Sequence, residues 1–334
     1  MTTQQDCSLG FAKESVYGTA VTPARFLEYT GDPKFAFAPT RVQGGATRAG
    51  SRVDRSTRRA TTAVEASGSF ECEILSKGLG LLWEAILGGA TSTLVGGTTY
   101  QQVFTLSDVV NTYTYQQGIV RDATTMAADT FKGCAVDKAT VTFEQAGIPK
   151  LAVDLDAREV DTSVAYTAPS YAAGASFLTW KDAAITTGTV TAPTTTALGS
   201  APTALTAVRG GSIEIARNLR KSLVIGNAGK KRKVYAGKPT ITGKIDVEYT
   251  DAFYRDAFLN DTDLSLVLTF TNGVALSTGF ETLQIIIPNL RFEGDWPAPN
   301  GDEIPVMSMS FTGLDAGVAA QPIWVVARTS DTAL

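Results

Sequence analysis

"ASGSFECEILSKGLGLLWEAILGG", residues 66–89, carries a period-two strand pattern that runs directly into helical spacing at Leu79, Leu82, Trp83 and Ile86, with Gly88 placed to stop the turn. A strand followed at once by a short helix with one apolar face is the phrase of a β domain with a helix laid on its sheet. The same phrase begins again at Thr240: "TITGKIDVEYTDAFYRDAFLND", residues 240–261, alternates Ile241, Gly243, Ile245, Val247 and Tyr249. It then puts Phe253, Tyr254, Ala257 and Phe258 on one helical face, behind an N-cap expected at Thr250 or Asp251. Gly68 and Gly243 fall at the same place in the two copies. The reading is a duplication: strand, basic connection, strand, short helix, strand, hairpin, written twice with little residue identity.

Working outward, each copy has a basic connection before its strand-helix phrase. The first, "RVQGGATRAGSRVDRSTRRA" at 41–60, holds Arg48, Arg52, Arg55, Arg58 and Arg59 against Asp54. The second, "RKSLVIGNAGKKRKVYAG" at 220–237, holds Lys230, Lys231, Arg232 and Lys233. With little apolar content to bury, such segments are solvated loops unless a partner covers them. Hairpins follow: "GCAVDKATVTFEQAGIPKLAVDLDAREV" at 133–160, and "TLQIIIPNLRFEGDWPAPNGDEIPVMSMSFTGLD" at 282–315. Residues 164–209, rich in Thr, Ala, Pro and Gly, lack a sustained apolar face. The expected layout is an N-terminal arm at 1–30, a β domain at 31–163, a linker or surface insertion at 164–209, and a second β domain at 210–334. Leu82, Trp83 and Ile86 in the first helix, and Phe253 and Phe258 in the second, are the expected core anchors.

Composition narrows the function. A formal net charge of −4 argues against a surface that grips nucleic acid as a whole. The chain has no histidine, which removes the commonest general base and metal ligand. Its three cysteines, Cys7, Cys72 and Cys134, are far apart and suggest neither a disulfide framework nor a zinc site. No signal-peptide pattern and no run of about 18 uncharged apolar residues is present, so neither classical secretion nor a membrane span is expected.

Other motifs are weighed and set aside. The acid pairs Glu71 with Glu73, Asp154 with Asp156, and Asp302 with Glu303 invite a glycosidase reading, but residues two apart on any strand share a face. "GGATRAGSR" and "VIGNAGKKRK" are glycine-containing and basic, yet neither matches a phosphate-binding loop. Trp180 and Trp296 sit beside turn residues, as intersubunit contacts or as plain hydrophobic cover. The arginines of the first connection lack interleaved aromatics, which weighs against single-stranded nucleic acid and leaves a solvated loop or a contact with acidic patches. No catalytic residue, cofactor or metal site is expected.

The phrases "GTAVTPARFLEYTGD", "ASGSFECEI", "GLLWEAILG" and "GCAVDKATVTFEQAGIPKLAVDLDA", with the closing "ITGKIDVEYTDAFYRDAFL" and "IIIPNLRFEGDWPAPNGDEIPVMSMSFTGLD", together resemble the major tail tube proteins of long, non-contractile-tailed (siphovirus-type) bacteriophages, over about Gly18 to Asp315. The resemblance implies a mainly β fold of two tandem sandwich or barrel domains, each with a short flanking helix. It implies a structural virion protein without enzyme activity, in which sheets of neighbouring subunits join around a lumen and rings stack into a DNA-conducting tube. A duplicated member is expected to form homotrimeric rings of pseudo-hexameric symmetry, with hexamers as the alternative. The two basic connections fall where family members carry a long loop reaching the adjacent ring. Partners implied are further copies of the chain, the tape measure, terminator and distal tail proteins, and double-stranded DNA passing without specific binding. The protein would be made in the bacterial cytoplasm and reside in the virion tail. A tail terminator or baseplate hub of the same fold, or a tail-associated carbohydrate- or receptor-binding module, are the other readings.

Overall fold

The computed structural model describes residues 6–122, 125–250, 252–294, 296, 304–315, 317, 321–332 and 334. Among them are eighteen strands and two helices, and the fold is mainly β. The first half contains β1 (Ser8–Lys13), β2 (Arg25–Leu27), β3 (Lys34–Gln43), β4 (Arg59–Glu73) and α1 (Gly80–Leu87). It continues through β5 (Gly88–Gly96), β6 (Thr99–Leu106), β7 (Tyr113–Val120), β8 (Met126–Phe143), β9 (Lys150–Ala157) and β10 (Glu159–Asp161). The second half contains β11 (Ala183–Thr187), β12 (Thr203–Ala204), β13 (Val208–Ala216), β14 (Thr240–Glu248) and α2 (Phe253–Leu259). It ends with β15 (Leu264–Ala275), β16 (Phe280–Gly294), β17 (Val306–Gly313) and β18 (Trp324–Thr329).

One long strand organises each half. The first part of β8 pairs with β7 and β10, while its last part pairs with β9, and the order continues from β9 to β4 to β3. β1 lies between β2 and β7. In the second half β16 takes the place of β8. It pairs early with β15 and β18 and late with β17, from which the order runs through β14 to β13, and β11 lies between β12 and β15. The same antiparallel pairing order therefore occurs twice, and the hairpin β5–β6 is an addition to the first half. Gly68 pairs with Leu155 and Gly243 with Phe311, so the two glycines stand at matching points of the two networks.

The core lies between strands of the two groups in each half. Phe70 of β4 stacks toward Tyr115 of β7 with ring centroids 5.9 Å apart, and Phe11 of β1 lies 5.2 Å from the same ring. Alternation produces this: in β4, Phe70 and Cys72 point inward while Glu71 and Glu73 stay partly exposed. All eight residues of α1 are buried, where a helix with one apolar face was expected. The added hairpin β5–β6 packs against α1 together with β8, which covers the side a lone sheet would leave wet. Gly88 ends α1 at φ 92°, a conformation an L side chain avoids.

Three local expectations differ. Ala252 occupies the N-cap position of α2 without a side-chain cap, and Asp251 lies outside the described residues. Residues 1–30 contain β1 and β2, and residues 164–209 contain β11, β12 and the start of β13, so both segments contribute strands to the sheets. Strands of two to six residues are too short to display a readable alternation, which is why these segments read as irregular.

Candidate assembly interface

The two halves meet through a strand junction. The last part of β8 pairs with β13 from Gly211 opposite Phe143 to Ala216 opposite Lys138. A second join runs from β6 to β18, Phe104 opposite Val325. At the β8–β13 junction both strands have neighbours on each side, and Ile213 and Ile215 of β13 are fully buried, the latter 1% exposed.

The matching strand of the first half is uncovered. β3 stands to β4 as β13 stands to β14: Phe35 pairs with Gly68 as Ile213 pairs with Gly243, and Phe37 with Ala66 as Ile215 with Ile241. Among the described residues β3 has no second neighbour, and Phe37 is 44% exposed where Ile215 is buried. Pro39 within β3 is tolerated on this open edge because no partner needs its missing N–H. The complementary edge is the end of β16. From Arg291 to Gly294 it pairs with β17 and with no other strand among the described residues, where the corresponding part of β8 is paired on both sides.

The two basic connections differ sharply. The second, residues 217–239, folds back over the first half. Lys231 is 2% exposed and its Nζ lies 2.6 Å from Asp156 Oδ1, with the Ala66 carbonyl at 3.4 Å. Lys221 reaches the same carboxylate at 2.8 Å, and Lys230 pairs with Glu159. The Gly229 carbonyl accepts from the Val64 N–H at 3.0 Å, and the Leu219 N–H donates to Asp137 Oδ1 at 2.8 Å. Lys230 and Lys231, expected with the rest of this loop to reach the adjacent ring, thus pair within their own chain, and Lys231 is buried, because the connection lies along the outward face of β9. Arg232 and Lys233 remain exposed. Beyond them Leu223, Val224 and Ile225 project as an apolar tip, Ile225 fully exposed.

The first connection, residues 44–58, bonds to itself and to the adjoining end of β3. Gln43 Nε2 donates to the Arg55 carbonyl at 3.0 Å, the Gly44 N–H to the Arg58 carbonyl at 3.0 Å, and Ser51 Oγ to the Val53 carbonyl at 2.9 Å. Arg48, Arg52, Arg55, Arg58 and Arg59 have no carboxylate within ion-pair distance among the described residues. Val53 at its tip is exposed.

A family model described as phage tail tube protein matches residues 4–313. The chain belongs to the phage tail tube protein family. That family is a structural component of the phage tail. No curated protein matches the sequence.

In this tail tube protein Leu82, Trp83 and Ile86 are buried in α1. In α2, Tyr254 and Ala257 hold the buried positions and Phe258 packs partly buried on the core, whereas Phe253 is 37% exposed with its ring edge-on to Tyr254 at 5.1 Å. The helix begins at Phe253, so its first residue lies on the outer side of the wheel and Tyr254, 5.9 Å from Phe292, takes the anchoring place. Glu71 is bonded to Lys150 at 3.1 Å and to Thr30 Oγ1 at 2.7 Å, and Asp156 is neutralised by two lysines, so neither pair is poised for acid–base work. Asp302 and Glu303 lie outside the described residues. Trp180 donates Nε1–H to the Arg209 carbonyl at 3.0 Å and is structural cover; Trp296 is exposed. Among the described residues no group of acids and cysteines is arranged to hold a metal, and no helix is long and apolar enough to cross a membrane. The apolar tip 223–225 is the feature sequence reading passed over: three consecutive aliphatic residues inside a segment read for its charge.

Proposed function

We propose that this chain is the major tail tube subunit, polymerising into stacked rings around a lumen through which the genome passes. The observation that carries the reading is the pair of matching edges. One strand junction, β8–β13, is closed inside the chain; its counterpart, between the end of β16 and β3, is open on both partners. Joining β16 of one copy to β3 of the next repeats the internal junction, removes two exposed edges, and covers Phe37. Phe37 is already more than half covered, so completing its burial contributes about 1 kcal/mol, a part of the roughly 1.5–3 kcal/mol of a full side chain. Repetition closes a ring, and two matching networks per chain make a homotrimer the pseudo-hexameric solution.

Contact between rings is assigned to the free part of the second connection, the apolar tip Leu223–Val224–Ile225 with Arg232 and Lys233 beside it. An acidic chain with its densest runs of basic side chains in its two connections leaves a wall that duplex DNA slides past. The role is structural rather than catalytic, with the tape measure, terminator and distal tail proteins as further partners, in the virion tail after synthesis in the host cytoplasm. Electron microscopy of the purified protein tests this: long tubes with threefold end-on averages are expected. Sixfold averages would overturn the duplicated-ring reading, and single rings that never elongate would assign the chain to a terminator or hub.

A further inference from the structure

The two basic connections occupy the same topological place, yet only the second is docked. Its dock is the outward face of β4 and β9. On that face Asp154 is exposed, whereas Asp156 is buried beneath Lys231 and Lys221. Just beyond β9, Glu159 receives Lys230.

Among the described residues the second half carries the same face without an overlying segment, and Lys244 of β14 pairs there with Asp246 at 3.3 Å. Ser67 pairs with Asp156 and Thr242 with Thr312, so β17 presents Thr312 where β9 presents Asp156. Ser308, Ser310 and Thr312 line the outward face of β17, and none is buried. The small side chains of β17 leave room for an overlying segment beside Lys244 of β14. Three residues past Thr312 stands Asp315, as Glu159 stands three past Asp156. Asp315 is exposed and has no cationic partner among the described residues, its Oδ1 accepting from the Gly317 N–H at 2.8 Å. Glu293, on the outer side of β16, is likewise exposed and unpaired there. Carboxylates without a cation and arginines that reach no carboxylate, Asp54 of their own segment included, are thus present in one molecule among the described residues.

We propose that residues 44–58 of one copy lie across β14 and β17 of the neighbouring copy in the same ring, with an arginine on Asp315 as Lys230 is on Glu159. This rests on the ring reading above, and it places the arginine arm laterally rather than between rings. The partner is a second copy of this chain. Guanidinium–carboxylate bonds, which form bidentately, suit an intersubunit contact better than single-point lysine pairs.

The test is disulfide capture in a Cys7→Ser background, with Arg55→Cys plus Asp315→Cys in one chain and Arg52→Cys plus Asp315→Cys in another. Arg52 and Asp315 are exposed and Arg55 is partly exposed, and the remaining cysteines, Cys72 and Cys134, are buried. After oxidation of assembled protein, a non-reducing gel is expected to give a ladder that stops at the number of chains in one ring. A ladder continuing past that number means that the arm bridges rings, and overturns the proposal. Absence of cross-links from both variants while microscopy still displays rings overturns it too and leaves the ring reading standing. Failure of the unsubstituted chain to form rings removes the function reading itself, and the lateral dock with it.

Discussion

Lys231 is the residue at which sequence and structure part most instructively. In the run Lys230–Lys233 nothing distinguishes it from its neighbours, because its burial is decided by a carboxylate contributed by β9 of the other half. Lys221 stays on Asp156 when Lys231 is removed, so Lys231→Ala is expected to destabilise the monomer by about 1–3 kcal/mol in urea unfolding, less than a buried charge left with no partner would. Lys231→Met combined with Asp156→Leu should recover most of that loss, since an apolar pair of similar volume removes both desolvation penalties. Lys233→Ala, at an exposed position, should change stability by less than about 0.5 kcal/mol. Burial acts differently on the thiols. It pushes Cys72 up to about 12 and raises Cys134 well above the ordinary thiol range, so neither forms thiolate at neutral pH. Maleimide at pH 7.5 should modify Cys7 alone in the folded protein and all three cysteines after denaturation.

At the scale of elements, long alternating strands were legible and short ones were not. β4, β14 and β17, the last part of β8 and the first part of β9 each bury one face, so their period-two pattern survives in the sequence. β2 and β12 are three and two residues long and are held by neighbours distant in sequence, leaving no local trace. The matched glycines were legible as a repeat, but their surroundings differ. The nearest atoms to a Cβ on Gly68 are those of the Phe35 side chain on the edge strand, which can give more readily than backbone, whereas one on Gly243 would press on the Ser212 carbonyl oxygen as well as the Phe311 ring. Gly243→Ala is therefore expected to cost about 1–3 kcal/mol, as overpacking does, and Gly68→Ala clearly less. Paired denaturation curves that ranked them the other way would contradict this account of the two strands.

The whole molecule is where reading the chain stops helping. The repeat suggested two similar bodies; that they share strand junctions depends on edges, and edge pairing leaves no pattern of its own in a sequence. On the proposed reading, two exposed apolar sites separate the levels of assembly. Phe37→Arg is expected to leave the monomer folded by circular dichroism while abolishing rings in sizing chromatography. Ile225→Asp should leave rings intact and stop their stacking, so that particles of one ring's mass replace tubes. Equal effects of the two substitutions would undo the division of labour assigned to β3 and to the second connection. The internal β8–β13 junction also bears on the kinetics of building. Because its strands are tethered, it forms at an effective local concentration that dilution does not change. In the trimeric ring proposed above only the junctions between chains then obey mass action, so such a ring would be nucleated by the meeting of half as many free bodies as an undivided hexamer needs, and its assembly should start at lower protein concentration and with a shallower concentration dependence.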